Sequence, residues 1–313
     1  MSNPTPNTPV PDSPSGSPMP ASPRSGPRSG APRLAVRKTY KLFIAGAFPR
    51  SESGRSYVVN DAKGAFLAYA AHASRKDARD AVTAARKAFA GWAGRAAYNR
   101  GQILYRIAEM LEGRRAQFID ELRAAGLAKT AAAGEVEAAI DRWVWYAGWA
   151  DKLTTVAGSA NPISGPFFNV STPEPTGVVA VIAPDSPLLG LVSVLAPVIV
   201  TGNTCVVIAS EPAPLPAITL AEVLATSDLP GGVVNILTGH REELAPILAS
   251  HMDVNALDLA GTPTDQAGPL QEAAAGNLKR VLPPTGDEWT TDPATTRMTA
   301  FLETKTVWHP IGV

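Results

Sequence analysis

The sequence feature that most constrains the fold is a regular alternation of short apolar runs with segments of helical length between Gly177 and Gly261. The runs are rich in Val and Ile and lack polar alternation, which is typical of parallel strands covered on both faces. We therefore predict an α/β fold, a doubly wound parallel sheet of the Rossmann type. The predicted strands are 177–182, 204–208, 232–237 and 254–259, and the predicted helices are 188–200, 215–225 and 242–250.

The region before this alternation is predicted to be mainly a helical cover. Residues 74–77 form a capping box, a serine N-cap followed three residues later by an acid, and they open a helix. A strand is predicted at 42–48, with a turn at Gly46. Further helices are predicted at about 99–112, 116–125 and 134–153. The last of these carries three tryptophans, which we interpret as core residues.

Composition argues against several classes of function. The formal net charge is zero, whereas a dedicated nucleic-acid binder needs a basic face. The longest apolar run, 188–200, is too short to span a bilayer, so no membrane segment is predicted. The single cysteine allows no disulfide framework and fits a cytoplasmic setting. The four histidines show no metal-ligand spacing, so no metal is expected, and we predict surface or capping roles for them.

The first 38 residues differ in composition from the rest of the chain. They are Pro, Ser, Gly, Thr and Asn with few large apolar side chains, so they cannot bury enough surface to offset their ordering entropy. We predict a disordered, solvated tail. The basic residues near its end leave open a second interpretation, a docking segment for an acidic partner.

A series of short motifs resembles the aldehyde dehydrogenase superfamily in order and spacing over about 42–281. The resemblance implies a Rossmann-like NAD-binding domain and a separate catalytic domain. It further implies a Cys nucleophile, a Glu general base, an Asn that stabilises the oxyanion, and a Lys that binds the adenosine ribose. The motifs are 177–182, Pro187-Leu188, Ala196-Pro197, 201–203, Val206-Val207, Glu211, Pro214-Leu215, Leu229-Pro230, 232–236 and 278–281.

The catalytic positions implied by the resemblance are changed. Asp185 stands at the position of the oxyanion Asn, and a carboxylate offers acceptors instead of the donor needed there. Pro284 stands at the general-base position and has no titratable group. The nucleophile segment is not found. Cys205 lies in a predicted buried strand, where a thiol is expected to be inert. No catalytic residue is therefore assigned.

The cofactor positions are partly kept. Ile208 replaces the ribose-binding Lys and cannot donate a hydrogen bond. The resemblance leaves Glu211, Gly239, Gly261 and Thr262 as candidate NAD-binding residues, with Thr262 predicted to be the N-cap of a helix that could face a phosphate. A solvated Glu and a simple helix cap explain two of these residues equally well. We expect NAD to bind weakly or no longer to bind.

The end of the chain resembles the C-terminal strand of the family's oligomerisation arm. In the family this arm adds to the sheet of a partner's catalytic domain, so a full-length aldehyde dehydrogenase subunit is the expected partner, in a hetero-oligomer. The predicted boundaries are 1–38 for the tail, 39–160 for the helical part of the NAD-binding domain, 161–176 for the arm, 177–281 for the Rossmann-like part, 282–296 for a linker replacing the catalytic domain, and 297–313 for the arm strand.

Three functional hypotheses follow. The first is a non-catalytic family member, a pseudoenzyme that serves as a structural or regulatory subunit. The second is an NAD-dependent oxidoreductase that acts on an aldehyde with catalytic groups supplied by a partner chain. The third is a simple nucleotide sensor. Activity of the purified chain, alone and with a complete family member, would distinguish them.

Overall fold

The computed structural model describes residues 37–286 and 288–312. The predicted tail at 1–38 lies outside the described residues except for its last two. The helices are α1 Arg75–Ala93, α2 Ala97–Glu112, α3 Arg115–Ala124, α4 Lys129–Ala147, α5 Leu153–Ala157, α6 Leu189–Val200, α7 Leu215–Ala225, α8 Arg241–Ser250, α9 Thr264–Ala275 and α10 Thr296–Ala300. The strands are β1 Ser56–Asn60, β2 Phe66–Ala71, β3 Ser159–Ala160, β4 Phe167–Pro175, β5 Val178–Ile182, β6 Thr204–Ile208, β7 Val234–Leu237, β8 Ala256–Asp258, β9 Arg280–Leu282 and β10 Leu302–Pro310.

The central element is a five-stranded sheet in the order β7-β6-β5-β8-β9. Its neighbouring strands are parallel throughout. The helices between them connect strands that lie side by side, except where α8 carries the chain from β7 at one edge back to β8 beside β5. The predicted doubly wound α/β sheet is therefore confirmed. Every residue of β5 and of β6 is buried, as their continuous apolar sequences predict.

Alternate residues of the two central strands enter two separate hydrophobic cores. One core joins the sheet to α2, α3, α4, α6 and α7, and the other joins it to α1, α8 and α9. Trp143 of α4 lies in the first core, whereas Trp145 and Trp149 are partly buried against it, so the interpretation as a core residue is confirmed for Trp143. Within the described part of the chain, no helix combines the length and the hydropathy needed to cross a bilayer. The strand residues in the first core are Val179, Val181, Cys205 and Val207, and those in the second are Val178, Ala180, Ile182, Val206 and Ile208.

Two of the predicted elements differ from the structure. The segment 42–48 is not a strand: it makes single bridges, one of them between Phe43 and Ile236 of β7. Ala45 and Gly46 both have positive φ, so the chain turns back after one bridge and the pairing cannot extend. The helix predicted at 134–153 is α4, which begins and ends several residues earlier. It ends where Gly148 forms the C-cap.

The sequence patterns also missed a hairpin. Strands β1 and β2 pair antiparallel, with an irregularity in register between Val59 and Asn60.

The capping box at 74–77 is confirmed, because Ser74 Oγ accepts from the Asp77 N–H while the Asp77 carboxylate accepts from the Ser74 N–H. It starts α1 directly after the hairpin, so β2 and α1 are held in a fixed relation by residues 72–74.

A second, three-stranded sheet has the order β10-β4-β3. Strand β10 pairs antiparallel with β4 along its whole length, from Leu302 opposite Pro175 to Pro310 opposite Phe167. Strand β3 pairs with β4 on the other side. This pairing is the geometry that the predicted arm requires. The assignment of these strands to an oligomerisation arm stays a prediction.

The segment between β9 and α10 is bound to the helical cover by one buried arginine. Arg142 of α4 donates to Ser193 Oγ (2.6 Å), to the Trp289 carbonyl (3.0 Å) and to the Thr291 carbonyl (2.8 Å). Tyr146 Oη, one turn further on, donates to the Ala294 carbonyl (3.4 Å). The region predicted as a linker is therefore packed against α4 in its described residues.

A buried ion pair joins the C-terminal segment to the central sheet. Arg297 of α10 contacts the carboxylate of Asp258, the last residue of β8. The Asp258 side chain is fully buried and that of Arg297 is 11% exposed. Removing one partner of such a pair strongly lowers the stability of the fold, because the other charge stays in a medium of low polarity.

We expect Asp258→Ala to lower the free energy of unfolding by about 3–5 kcal/mol, because it removes the carboxylate that faces a buried guanidinium. Urea unfolding followed by circular dichroism measures the loss. The matched control is Lys305→Ala, which breaks the exposed pair between Lys305 and Glu174 and should cost at most about 1 kcal/mol. Equal small losses in both variants would show that α10 is not held against the sheet.

Candidate functional site

The loops at the carboxyl ends of the parallel strands form the candidate site. From β5 the chain winds to β6 and β7 on one side and then returns to β8 and β9 on the other. The loops after β5 and β8 therefore lead to opposite sides of the sheet, and ligands of such sheets bind in the crevice between diverging loops. A cavity of about 450 Å³ opens beside the loops after β5, β6 and β7. It is lined by residues 57–60 of β1 and by Asp185, Glu211, Pro212, His240 and Arg241.

Asp185, at the position that the resemblance assigns to the oxyanion Asn, is exposed and follows β5. Its Oδ1 accepts a hydrogen bond from Ser210 Oγ (3.2 Å) and pairs with Arg241 Nη2 (3.1 Å). The pair crosses the cavity from the loop after β5 to the first residue of α8. Asp185 thus acts as an acceptor for groups of its own chain, and it cannot donate to a developing oxyanion when ionised.

Glu211, a candidate ribose acceptor, is engaged through both carboxylate oxygens. Oε1 lies 2.6 Å from His240 Nδ1, and Oε2 accepts from the backbone N–H of Arg241 (3.1 Å). Partial burial opposes ionisation, but the hydrogen bonds and charges of His240 and Arg241 outweigh it and lower the pKa of Glu211 below its ordinary value. The carboxylate therefore ties the loop after β6 to the start of α8.

The residues of β6 lie beneath this site. Ile208, at the position of the ribose-binding Lys, is fully buried in the core that contains α1 and α8. Cys205 is also fully buried, and burial raises the pKa of its thiol well above the ordinary value. A thiol in this state is a poor nucleophile, as the sequence suggests for this cysteine.

Gly261, a candidate cofactor-binding residue, makes a close contact between two loops. Its N–H donates to the Ile182 carbonyl (2.8 Å). A Cβ at Gly261 would lie 1.9 Å from the Ala183 carbonyl oxygen, so the loop after β8 can lie against the end of β5 only with glycine here. Steric fit explains this glycine without a cofactor.

The prediction that Thr262 is the N-cap of the next helix is wrong. Helix α9 begins at Thr264 with Pro263 at the N-cap, and no side chain caps it. The extended Pro263 moves the helix start one residue further along the chain. Thr262 donates its backbone N–H to the Leu259 carbonyl (2.9 Å). Its hydroxyl is buried and has no hydrogen-bond partner among the described residues.

Gly239 follows β7, and its φ of +147° lies in the region that favours glycine. A Cβ at this residue would lie 3.1 Å from His72 Cδ2 and 3.3 Å from a methyl group of Leu244. Gly239 therefore lets the histidine ring pack against the loop. Its role is again explained by packing.

The prediction of surface or capping roles is wrong for His72, which is buried, whereas His240 is the partly exposed N-cap residue of α8. The rings of His72 and His240 contact each other edge to face, with centroids 4.6 Å apart. The carboxylate of Glu243 lies beside them. One sequence signal was present, the separation of His240 and Glu243 by one helical turn. The contribution of His72 depends on the fold, because it lies far away along the chain.

Whether the carboxyl edge of the sheet can bind a dinucleotide depends on which of its candidate residues are still available to a ligand. Of the groups that the resemblance assigns to the ribose and the oxyanion, Ile208 has no donor, and Glu211 and Asp185 are bonded within the chain. The Gly261 N–H is bonded to β5. Among these candidate positions, the hydroxyl of Thr262 and the adjoining first turn of α9 still offer groups to a phosphate. The described residues therefore do not fit NAD in the way that the resemblance implies.

The order and parallel pairing of the five strands define a Rossmann-like domain. A family model described as "Aldehyde dehydrogenase family" matches residues 48–286. "Aldehyde dehydrogenase, cytosolic 1" of Elephantulus edwardii is 34% identical over 77% of this chain and 49% of its own length. The "Putative aldehyde dehydrogenase DhaS" of Bacillus subtilis is 33% identical over 78% of this chain and 50% of its own length. The chain belongs to the aldehyde dehydrogenase family, and it spans about half the length of these relatives.

Solved structures give the same result. HpcC from Thermus thermophilus superposes with a TM-score of 0.74 at 30% identity, over 78% of this chain and 47% of that protein. An aldehyde dehydrogenase from Bacillus cereus, solved as an NAD⁺ complex, superposes with a TM-score of 0.73 at 28% identity, over 78% of this chain and 50% of that protein. The Rossmann-like fold expected from the resemblance is confirmed.

We expect Gly261→Ala to lower the free energy of unfolding by about 1–3 kcal/mol, because the added methyl group forces the loop after β8 away from the Ala183 carbonyl. Thermal and urea unfolding measure the change. Gly134→Ala in α4 is the matched control, since a Cβ there meets nothing within 4 Å and the site is an exposed helical one. The control should raise stability by roughly 0.5–1 kcal/mol. Equal stability of the two variants would contradict the steric explanation.

Proposed function

We propose that this chain is a non-catalytic member of the aldehyde dehydrogenase family that acts as a structural or regulatory subunit. The observation that carries the proposal is the Asp185–Arg241 pair across the crevice. It places an acceptor, bound to its own chain, where the reaction needs a free donor. Losing one oxyanion donor costs about 10²–10³ in rate, and an anion in its place costs more.

The other catalytic groups point in the same direction. Pro284, at the general-base position, lies after β9 and has no ionisable group. Cys205 is enclosed by the sheet and two helical layers, so no substrate carbonyl can reach its sulfur. Between β9 and the C-terminal strand, a short segment packed on Arg142 stands where the resemblance places the catalytic domain. Covalent catalysis needs an activated nucleophile, and the described residues supply none.

NAD binding is proposed to be weak or lost. A hydrogen bond to a charged group contributes about 1.5–3 kcal/mol, so replacing the ribose-binding Lys by Ile208 alone weakens binding by roughly tenfold to a hundredfold. Glu211 would have to give up His240 before it could bind a ribose hydroxyl. Both effects reduce affinity while leaving the fold intact.

A second candidate function is favoured by one observation. The buried hydroxyl of Thr262, unpartnered among the described residues, lies just before the first turn of α9, and a helix start is a good site for a phosphate. In this alternative the chain binds NAD, and a partner chain supplies the nucleophile and base for aldehyde oxidation. Weak NAD binding by the purified chain would argue against it.

We expect no NAD-dependent aldehyde oxidation by the purified chain, because Asp185 and Pro284 stand at the oxyanion and general-base positions and Cys205 is buried. The measurement is NADH absorbance with a panel of aliphatic and aromatic aldehydes, beside a heat-denatured sample. Cys205→Ala is the control variant and should behave identically. NADH formation that disappears in Cys205→Ala would overturn the proposal, and micromolar NAD affinity by calorimetry would favour the second candidate.

The second sheet offers a surface to which a partner could bind. Its outermost strand β10 pairs on one side only among the described residues. Phe167, Phe168, Trp308 and Ile311 are each at least 40% exposed, and the rings of Phe167 and Trp308 contact each other. An open edge strand with exposed aromatic residues is an aggregation hazard unless another chain covers it.

The proposed partner is a full-length aldehyde dehydrogenase subunit. The resemblance implies that an arm strand adds to the sheet of a neighbouring catalytic domain, a form of strand addition. In this chain the arm strands β4 and β10 are present, while a short segment stands at the position of the receiving domain. A second copy of the described residues offers no such receiving sheet, whereas a complete family member does.

We expect the chain to co-purify with a full-length aldehyde dehydrogenase from the same genome when the two are co-expressed, because that subunit covers β10. Trp308→Asp should abolish the association, measured by size-exclusion chromatography with light scattering. Tyr98→Asp is the matched control, since Tyr98 is similarly exposed but lies on α2 and not on an arm strand, and it should not affect binding. Association that survives Trp308→Asp, or a monodisperse monomer that does not bind, contradicts the proposed interface.

A further inference from the structure

Two histidines and a glutamate form a cluster beside the crevice, outside the positions that the resemblance assigns to catalysis. One ring nitrogen of His72, one of His240 and a carboxylate oxygen of Glu243 all lie within 4.8 Å of one another. Imidazole nitrogens and a carboxylate are a common ligand set for Zn²⁺ and its neighbours in the first transition series. In this set one buried ligand atom lacks a hydrogen-bond partner among the described residues.

The buried member of the cluster has no such partner. His72 is 7% exposed, and its Nε2 makes no hydrogen bond with any described residue. The nearest charged atom is Glu243 Oε2 at 3.2 Å, which lies in a direction that does not form a hydrogen bond. A buried polar nitrogen left unsatisfied costs about 1–3 kcal/mol, and coordination of a metal ion would remove this cost.

The fold positions all three side chains. His72 directly follows β2, and its backbone N–H is bonded to the Arg55 carbonyl (3.0 Å). His240 is the N-cap of α8, and Glu243 lies in the first turn of that helix, so both face the same direction. The absence of a Cβ at Gly239 admits the ring of His72 to this turn. One ligand is therefore rigid, and the two others come from a single helical turn.

Glu211 adjoins the cluster through its contact with His240. It contacts Nδ1 of His240 at 2.6 Å. A histidine that binds a metal through one nitrogen usually gives its other N–H to a carboxylate, which orients the ring and raises its basicity. The contact that occupies Glu211, and so removes a ribose acceptor, is also the contact that a metal-binding histidine requires.

We propose that His72, His240 and Glu243 form a binding site for a divalent transition metal, Zn²⁺ by preference, with Glu211 as the carboxylate that orients His240. Three protein ligands leave the fourth tetrahedral position to water or to a ligand in the crevice. Tetrahedral zinc ligands lie about 3.4 Å apart, so the cluster must contract. Glu243 and His240 can rotate inward, because their side chains are 49% and 43% exposed.

The charges around the cluster permit a cation. Arg55 Nη2 lies 3.6 Å from Glu243 Oε2, and the start of α8 carries the positive end of the helix dipole. The negative charges of Glu211, Glu242 and Glu243 at the same helix end oppose these positive charges. The Arg55 side chain is 52% exposed, so it can turn into solvent when the metal binds. The bound ion would then join the hairpin to α8.

The test is metal binding by the full chain, freed of any affinity tag and stripped with EDTA. We expect one equivalent of ZnCl₂ to bind in calorimetry, and one equivalent of Co²⁺ to give the intense visible absorption of a tetrahedral site. His72→Ala and Glu243→Ala should each abolish the cobalt spectrum. Glu211→Gln should weaken affinity by about 10–100-fold, as expected for a residue that orients a ligand.

The control is His309→Ala, which removes an exposed histidine from the arm strand and should bind like the unchanged chain. Glu243→Ala also guards against misfolding, because its side chain is half exposed and its removal leaves the core intact. Absence of stoichiometric binding overturns the proposal. So does binding that His72→Ala and Glu243→Ala leave unchanged while circular dichroism shows both variants folded. Neither result depends on the proposed role of the chain as a subunit.

Discussion

The burial of β5 and β6 on both faces is the constraint on which the rest of the structure depends. Each of the five residues in each strand is buried, and burying a Val or Ile side chain fully contributes roughly 1.5–3 kcal/mol. Two strands of this kind are stable only if helices cover both faces, which determines the two cores. The polar backbone ends that remain at the carboxyl edge are then the natural place for a ligand. Fold and candidate site follow from one pattern.

At that edge, several polar groups of the chain are bonded to one another. Asp185 pairs with Arg241, Glu211 binds His240 and the Arg241 N–H, and Gly261 binds the end of β5. Together these contacts tie the loops after β5, β6, β7 and β8 into one network. A cofactor entering the crevice would have to replace these bonds one for one, which leaves little net free energy for binding. Because Asp185 and Glu211 are already bonded within the chain, this edge suits the structural subunit proposed above better than it suits an enzyme.

The parts of the fold that were predictable are those encoded locally. The apolar runs between Gly177 and Gly261 indicate their strands directly, and Ser74 with Asp77 indicates a helix start. The segment 42–48 was mispredicted because its pairing is limited by a turn and by β7, which is distant in sequence. The contacts of the candidate site were not predicted for the same reason, because their residues are distant along the chain. His72 meets His240, and Asp258 meets Arg297, only after the sheet and its helices have assembled.

The segment between β9 and β10 differs from the arm strand β10 in how completely its polar groups are paired within the chain. Between β9 and β10, Arg142 binds the segment that follows β9, and Arg297 binds Asp258. The polar groups involved in these contacts therefore have partners within the chain. At the arm, β10 pairs only with β4 among the described residues and carries Trp308 to the surface. An open edge strand with an exposed aromatic side chain is the feature that the proposed association with another chain requires.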